Sequence, residues 1–404
     1  MPSAARAALP AAGLVLVAAL TGCVSNATPG AAGATGTAAA GRTVTVTSTA
    51  DACTLSTATA PAGTLTFAVS NAGTDVTEFY LLSGDGDRVV AEVENIGPGL
   101  SRELVVQVPP GRYLATCKPG MTGDGLRETF TVTGAGATAD PTGAAAAALA
   151  SARTTYVAYV RAQVAALLPA TQEFAAAVTA GDDERARSLY PSARAHYERI
   201  EPVAESFGDL DAELDARQAD LAAGQAWTGW HLLEKDLWPP AAAANGGTPY
   251  TPLTTAQRAA AATDLVATTR RLADLVDAPT FTVEPFQITN GAKELLDEVA
   301  TGKVTGEEEV WSHTDLSDVQ ANVDGAREAY VAVADAVRAG DGALVDELDQ
   351  RFANLDALLA HYGSAAAGFT PYDELTPAQV KQLAAAVDAV AEPLSRLTAA
   401  VTGA

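Results

Sequence analysis

The sequence predicts a mixed fold with two separate domains, a small β-sandwich followed by an all-α domain of two related four-helix bundles. Residues 42–133 contain short alternating runs of polar and apolar side chains, divided by Gly, Pro and Asn. Residues 149–404 contain long segments with helical periodicity. A linker at 134–148, with Pro141 and Gly143, separates the two parts. A chain of 404 residues is long enough for two or three domains.

The first 22 residues have the pattern of a bacterial lipoprotein signal. Arg6 is the one charge before the apolar run 7–20, and Leu-Thr-Gly-Cys ends at Cys23. We expect cleavage before Cys23, lipid on its sulfur, and a flexible Ala/Gly/Thr/Ser tether over 23–41. The chain would then be extracytoplasmic, anchored to the cell membrane by lipid, in an oxidising setting. An ordinary secretory signal with a chance cysteine is the alternative.

Four runs in the first domain alternate as β-strands do, at 43–46, 65–69, 104–108 and 129–132. Turn-forming residues lie between them, at 71–73, 84–86, 98–99 and 109–111. Short strands at this spacing are typical of a sandwich.

The second domain is predicted to hold eight helices. They span about 149–180, 183–207, 211–238, 255–276, 283–301, 317–339, 342–362 and 376–402. Thr376 followed by Pro377 is a typical helix start, and Thr254 can cap the helix at 255.

A weak internal repeat suggests that the helical domain contains two related bundles. Residues 174–182 resemble residues 333–341. In this register Glu198 falls on Ala357 and Glu201 on Ala360. The second copy therefore lacks the carboxylates, and we expect one helical site rather than two.

Residues 192–238 hold the strongest candidate for a metal site. Glu198 and Glu201 are three residues apart, as are His231 and Glu234, so each pair would share one helix face. Asp215 lies between the pairs. Carboxylates with one imidazole suit iron, manganese, calcium or zinc. The net charge of −24 fits cation capture and argues against binding to nucleic acid or anionic membranes.

The sandwich contains Cys53 and Cys117, which could form a disulfide, bind a metal as thiolates, or be spectators. The chain's four histidines are 196, 231, 313 and 361, and none lies in this domain. A blue-copper site needs two histidines, so that site is excluded. A metal here would have to use Cys53, Cys117, Glu78, Met121 or backbone oxygen.

Enzyme motifs are not evident. His231-x-x-Glu234 lacks the second histidine of a zincin, and no G-x-S-x-G, P-loop or dinucleotide fingerprint is present. Trp227, Trp230 and Trp238 surround His231, and we interpret them as packing residues, with shielding of the site or lining of a ligand groove as the alternative. The acidic run 307–309 is predicted to be a solvated turn.

Several long segments, in this order, resemble the EfeO family of the EfeUOB iron uptake system. They are 197–202, 204–211, 227–234, 291–298 and 312–316, and the likeness covers about residues 42–404. Trp311 stands where the family would have Tyr. The resemblance implies a cupredoxin-like sandwich and an imelysin-type, peptidase-like helical domain.

The resemblance also implies a set of metal ligands and partners. The helical ligands would be Glu198, Glu201, Asp215, His231 and Glu234, with Glu298 added by the likeness alone. The sandwich ligands would be Cys53, Glu78 and Cys117. The cargo would be Fe²⁺ or Fe³⁺, with copper as a second candidate in the sandwich. A membrane iron permease and a peroxidase-like protein would be the partners.

Two other functions remain open from the sequence. One is an imelysin-type metallopeptidase. The other, more distant, is a calcium-dependent adhesin or polymer-binding lipoprotein. A transport component is favoured because the sequence offers ligands but no recognisable base or substrate-binding motif.

Overall fold

The computed structural model describes residues 42–402 apart from a few short segments. Within this range it does not describe residues 85, 87–88, 122–124, 135–143, 222–223, 225 and 302. The predicted signal, the tether and Cys23 lie outside the described residues. Among the described residues, no helix combines the length and hydrophobicity that a membrane crossing requires.

The described strands between residues 43 and 133 form two sheets that pack as a sandwich. They are β1 (Thr43–Ser48), β2 (Cys53–Leu55), β3 (Thr59–Pro61), β4 (Gly63–Asn71), β5 (Thr77–Ser83), β6 (Val89–Ile96), β7 (Ser101–Val108), β8 (Gly111–Cys117) and β9 (Leu126–Thr133). The first sheet has the order β2-β1-β4-β7, and the second β3-β9-β8-β5-β6. β1 is parallel to β4, and β3 to β9, while the other pairs are antiparallel.

Alternation along the strands builds the sandwich core. Leu65, Phe67 and Val69 of β4 are buried, and the residues between them are half-buried. The Phe67 ring lies 5.2 Å from the rings of both Phe79 and Phe130, which joins the two sheets. Apolar contact of this kind is the main stabilising term in a small sandwich.

The predicted sandwich is confirmed, and all four predicted runs lie in strands, namely β1, β4, β7 and β9. The other strands were not predicted. β5, for example, is buried on both faces over Thr77–Phe79 and so shows no alternation of polarity.

The helical part begins five residues earlier than predicted. Its elements are α1 (Ala144–Ala180), α2 (Asp183–Glu198), α3 (Asp209–Asp215), α4 (Trp230–Leu237), α5 (Thr255–Asp277), α6 (Pro285–Thr301), α7 (Asp315–Arg338), α8 (Gly342–Leu359), the short hairpin β10 (Gly363–Ser364) and β11 (Gly368–Phe369), α9 (Pro377–Leu394) and α10 (Leu397–Thr402). Thr254 and Thr376 both cap their helices, as predicted, each in a capping box with a glutamine.

The larger helices pack as two groups, α1, α2, α4 and α5 in one and α6 to α9 in the other. α7 joins them by packing against α1 and α2. Asp182 and Asp341, which the internal repeat aligns, are the N-caps of α2 and α8. The repeat therefore marks the same helix start in both groups.

Three predicted helices are wrong in their extent, and the one predicted at 376–402 is divided into α9 and α10. The helix predicted at 183–207 ends at Glu198, and a 3₁₀ segment, Glu201–Phe207, follows. Pro202 explains the change, because a residue before proline is disfavoured in α-helical geometry. Glu198 and Glu201 therefore do not share one α-helical face.

The helix predicted at 211–238 is interrupted between α3 and α4. Gly224 and Gly229 have φ angles of 86° and 85°, which belong to left-handed backbone. A Cβ atom at Gly229 would lie 2.1 Å from the carbonyl oxygen of Leu214. The glycine thus lets α4 begin against the end of α3, which brings His231 close to Asp215.

α6 connects the sandwich to the helical domain. The Nζ atom of Lys293 lies 2.6 Å from Glu92 of β6 and also contacts Asp297 one turn along α6. All three side chains are buried. Asn290 donates a hydrogen bond to the carbonyl of Gln107 in β7 at 3.0 Å. The chain then runs from the end of α6 to Lys303 in the acidic cluster described below.

We expect Gly229→Ala to destabilise the protein far more than Gly224→Ala. Both substitutions carry the left-handed penalty of about 1–2 kcal/mol. At Gly224 a Cβ atom would meet nothing within 4 Å, whereas at Gly229 it would overlap the Leu214 carbonyl. A loss of roughly 3 kcal/mol or more is expected for Gly229→Ala. Urea unfolding of both variants measures the difference, and equal losses would contradict the close approach.

Candidate metal centre

A buried cluster of acidic side chains lies where the two helix groups meet. Its members come from the ends of α2 and α3, from α4, from the segment between α6 and α7, and from the start of α7. They are Glu198, Glu201, Asp215, Glu234, Glu308, Glu309, Asp315 and Asp318. Buried carboxylates are costly unless cations or hydrogen bonds compensate them.

The His231 ring is fully buried and faces carboxylates on both sides. Its Nε2 atom lies 3.4 Å from Asp215 Oδ1 and 3.5 Å from Glu308 Oε1. Its Nδ1 atom lies 3.1 Å from Glu234 Oε2 and 3.9 Å from Glu309 Oε1. Each ring nitrogen could therefore take part in a group of three ligand atoms within 4.8 Å of one another.

The Nε2 side is the better position for an ion. Nε2 is buried without a well-formed hydrogen bond among the described residues. A first-row ion such as zinc holds nitrogen and oxygen ligands at about 2.0–2.2 Å, so neighbouring ligand atoms stand about 3–3.5 Å apart. The separations of Nε2 from Asp215 and Glu308 match this spacing.

A cavity of about 260 Å³ opens next to this position. Its lining includes His231, Glu308, Arg217, Glu307 and Trp311. An ion could reach Nε2 through this cavity.

Glu234 holds the other side of the imidazole. Its Oε1 atom accepts hydrogen bonds from the backbone N–H groups of Trp311 and Ser312, at 3.0 and 2.8 Å. Its Oε2 atom faces His231 Nδ1. A carboxylate in this place fixes the ring orientation and leaves Nε2 available for an ion.

Arg194 compensates a large part of the negative charge. Its guanidinium is fully buried and donates to Asp215 and to Glu198, the latter at 2.5 Å. It also lies 2.8 Å from Glu309 and 3.2 Å from Glu308. A rigid fork with five N–H groups is suited to such a shared role.

Lys303 provides a second buried positive charge. Its Nζ atom donates to Glu198 Oε2 at 2.9 Å and to both oxygens of Glu201 at 2.8 and 2.9 Å. Asn322 donates to the same two carboxylates at 3.0 and 2.6 Å. Glu198 and Glu201, which were predicted to be metal ligands, are thus brought together around an ammonium group.

The two carboxylates on the Nε2 side, Asp215 and Glu308, have lowered pKa values. Burial alone would raise the pKa of Asp215, but the Arg194 guanidinium and His231 lower it to about 2. Burial likewise opposes the charge on Glu308, yet Lys303, His231 and Arg194 hold its pKa well below the usual range. Both groups can therefore serve as anionic ligands at neutral pH.

Two other carboxylates of the cluster, Glu309 and Asp318, have raised pKa values instead. Burial and the charge of Glu234 raise the pKa of Glu309 well above its ordinary value. Burial and Glu198 do the same to the pKa of Asp318, against the effect of Arg194. Neither Asp318 oxygen has a hydrogen-bond partner within the described part of the chain. Because their pKa values are raised, Glu309 and Asp318 are poorer metal ligands than Asp215 and Glu308.

Sequence reasoning missed several members of the cluster and misjudged one segment. The acidic run was predicted to be a solvated turn, and this is wrong for Glu308 and Glu309, which are buried beside His231. Arg194 lies one turn before Glu198, a spacing that could have suggested an ion pair. Nothing in the local sequence indicated Lys303.

Glu298, taken from the family likeness, lies on the exposed side of α6. It makes no ion pair or hydrogen bond among the described residues, although its charge contributes to the raised pKa of Lys303 after the larger effects of Glu198, Glu201 and Glu308. It is a neighbour of the cluster rather than a member of the group around Nε2.

The sandwich does not present the ligand set expected from the likeness. Cys53 and Cys117 form a disulfide, so neither sulfur is a thiolate in this oxidised form. Cys117 pairs in register with Phe79, and both point into the core. Glu78 precedes Phe79 and must point to the opposite face, where it accepts a hydrogen bond from Tyr80 at 2.6 Å. The predicted thiolate site with Glu78, and copper bound there, is thus corrected for the oxidised chain.

The tryptophans have different roles. Trp230 is buried in the core against Phe174 and Tyr190, as the packing interpretation predicted. Trp227 and Trp311 lie beside the centre instead, with the Lys235 ammonium over both rings at 6.0 and 5.0 Å. Trp311 also lines the cavity.

Comparison with known proteins agrees with this architecture. The imelysin family matches residues 152–397, and the cupredoxin-like domain matches residues 13–132. Over 333 residues, the chain is 36% identical to the iron uptake system component EfeO of Escherichia coli strain K12, covering 81% of this chain and 83% of that protein. EfeO of Shigella flexneri gives the same values. The solved structure of reduced auracyanin from Roseiflexus castenholzii is 22% identical in sequence. The match covers 23% of this chain and 98% of the auracyanin chain, with a TM-score of 0.20.

Cation binding at His231 should release a proton and strengthen as pH rises. Burial and Arg194 lower the pKa of His231, but Asp215, Glu234 and Glu308 raise it well above 6.5. The ring is then protonated at neutral pH, and an ion must displace that proton. We expect Zn²⁺ affinity to rise about tenfold per pH unit for each proton released. Calorimetry in two buffers of different ionisation enthalpy measures the release. The same proton count in His231→Gln would contradict this assignment.

Proposed function

The chain belongs to the EfeO family of iron uptake system components, and from this premise we propose that it captures an iron ion at His231 for uptake. The proposed ligands are Nε2 of His231 with Asp215 and Glu308. Glu234 holds the ring, and Glu198 and Glu201 lie around Lys303 in the same cluster. Iron is the cargo of this site rather than a permanent cofactor.

The observation that carries the proposal is the position of the buried Nε2 atom, 3.4 Å from Asp215 Oδ1 and 3.5 Å from Glu308 Oε1, with no well-formed hydrogen bond among the described residues. An ion that replaces the proton on Nε2 would be held by the imidazole and by both carboxylates. Nitrogen and carboxylate donors suit iron, and the adjacent cavity supplies a path for the ion. Other first-row cations fit the same donors, so selectivity must come from charge and availability.

The ion is proposed to bind outside the cytoplasm and to pass to a membrane iron permease, with a peroxidase-like protein of the same system as a second partner. A lipid on Cys23 would hold the chain at the membrane. Labelling cells with a tagged fatty acid tests the anchor: the label should appear on the protein and be absent from Cys23→Ser. Label retained in that variant would remove the anchor from the proposal.

The metallopeptidase alternative has less support. Asp215 and Glu308, the carboxylates nearest Nε2, both contact Arg194, which makes either of them a poor base for activating a water molecule. The same preparation can be assayed for cleavage of casein. Iron-dependent cleavage that is lost in the His231 variant would favour the peptidase instead.

Removing the imidazole should weaken iron binding by at least the 10–100-fold seen when a metal site loses support. The test compares His231→Ala with His196→Ala, since His196 is part-buried and bonded to Gln163 rather than to the cluster. Binding of Fe²⁺ under anaerobic conditions is measured by competition with a chelator. We expect His196→Ala to bind as the wild type does.

Unchanged affinity in His231→Ala would refute the proposed site. Binding that is lost equally in both variants would indicate a general loss of structure, and circular dichroism of each variant distinguishes that case.

A further inference from the structure

Lys303 occupies a cation position inside the acidic cluster. Three carboxylate oxygens, one from Glu198 and two from Glu201, surround its Nζ atom at 2.8–2.9 Å. The side chain is fully buried, and the Nζ atom also lies 3.8 Å from Glu308 Oε1. An ammonium group held by several carboxylates in this way takes the place that a bound cation would otherwise fill.

The residues around Lys303 stabilise its positive charge. Asn322 donates to both Glu198 and Glu201, which fixes the two carboxylates toward each other. Asn322 is itself buried, at the start of α7. Two carboxylates held this close repel each other unless a cation lies between them.

The ammonium and the proposed iron position share a carboxylate. Glu308 Oε1 lies 3.5 Å from His231 Nε2 and 3.8 Å from Lys303 Nζ. An ion bound at Nε2 would therefore lie near a fixed positive charge. Like charges at such distances in a protein interior repel each other appreciably.

We propose that Lys303 is a built-in counter-cation that limits the affinity of the iron site and thereby favours release of the ion. The inference rests on the proposed function and concerns the regulation of that same site. The ammonium neutralises Glu198 and Glu201 in the metal-free chain, and it opposes tight retention when an ion binds. A component that must pass its cargo on needs a site that releases it.

Lys303→Met tests the inference, with Lys293→Met as the matched control. Lys293 is also a buried lysine paired with two carboxylates, Glu92 and Asp297, but it lies at the contact between the sandwich and α6. Removing the Lys303 charge should tighten Fe²⁺ binding by roughly ten- to a hundredfold and slow its dissociation. Lys293→Met should leave Fe²⁺ affinity unchanged. Chelator competition and stopped-flow release into excess chelator give the two quantities.

Lys303→Met also leaves Glu198 and Glu201 without their cation, so its metal-free form could unfold. Thermal melting of this variant with and without Fe²⁺ then tests the inference. The inference expects the ion to restore folding, because it can replace the missing charge. A variant that stays unfolded in saturating Fe²⁺ would overturn the inference.

The remaining outcomes separate the inference from the proposed function. If the wild type binds Fe²⁺ and Lys303→Met binds it equally or more weakly, Lys303 is a structural support and the inference fails alone. If neither protein binds Fe²⁺, both fail. If only Lys303→Met binds, the ammonium blocks the site and the inference stands, while the proposed function of the wild-type chain fails.

Discussion

Charge compensation within one buried cluster is the constraint on which the helical domain depends. Eight carboxylates meet where the two helix groups join, and Arg194 and Lys303 are the buried cations that contact most of them. Ions buried without partners would cost several kcal/mol each, so this arrangement must form as a unit. The two cations do not contact every acid equally. His231 Nε2 and both Asp318 carboxylate oxygens have no well-formed hydrogen bond among the described residues, which makes the cluster a candidate binding site.

The charged residues of the cluster come from different segments of the chain. Gly229 allows α4 to begin close against α3, so His231 approaches Asp215. The segment between α6 and α7 brings Lys303, Glu308 and Glu309, and its backbone holds Glu234. α6 itself is tied to the sandwich by Lys293 and Glu92. Near its middle α6 thus contacts the sandwich, and the chain that leaves its C-terminal end leads to Lys303 in the acidic cluster.

Local features of the chain could be predicted and distant contacts could not. The alternating strands and the helix caps at Thr254 and Thr376 depend on neighbouring residues, and they were found where expected. The proximity of His231, Glu234 and Asp215 also followed from the sequence with the help of the family likeness. The roles of Arg194, Lys303 and Glu308 did not, because they depend on which segments meet in three dimensions. The interruption at 216–229 was missed although its glycines were visible, since helical periodicity on either side outweighed them.

The two cysteines of the sandwich are a second case that the sequence alone did not decide. The residue types alone allowed either a disulfide or a thiolate site. In the structure Cys117 points into the core and is bonded to Cys53, while Glu78 points to the opposite face of its sheet. The helical centre is therefore the site that we propose for iron. Anomalous diffraction at the iron absorption edge, from crystals of the iron-loaded protein, tests this most directly. We expect a peak within bonding distance of His231 Nε2, between Asp215 and Glu308. A peak confined to the sandwich, or none beside His231 in a protein that retains iron, would contradict it.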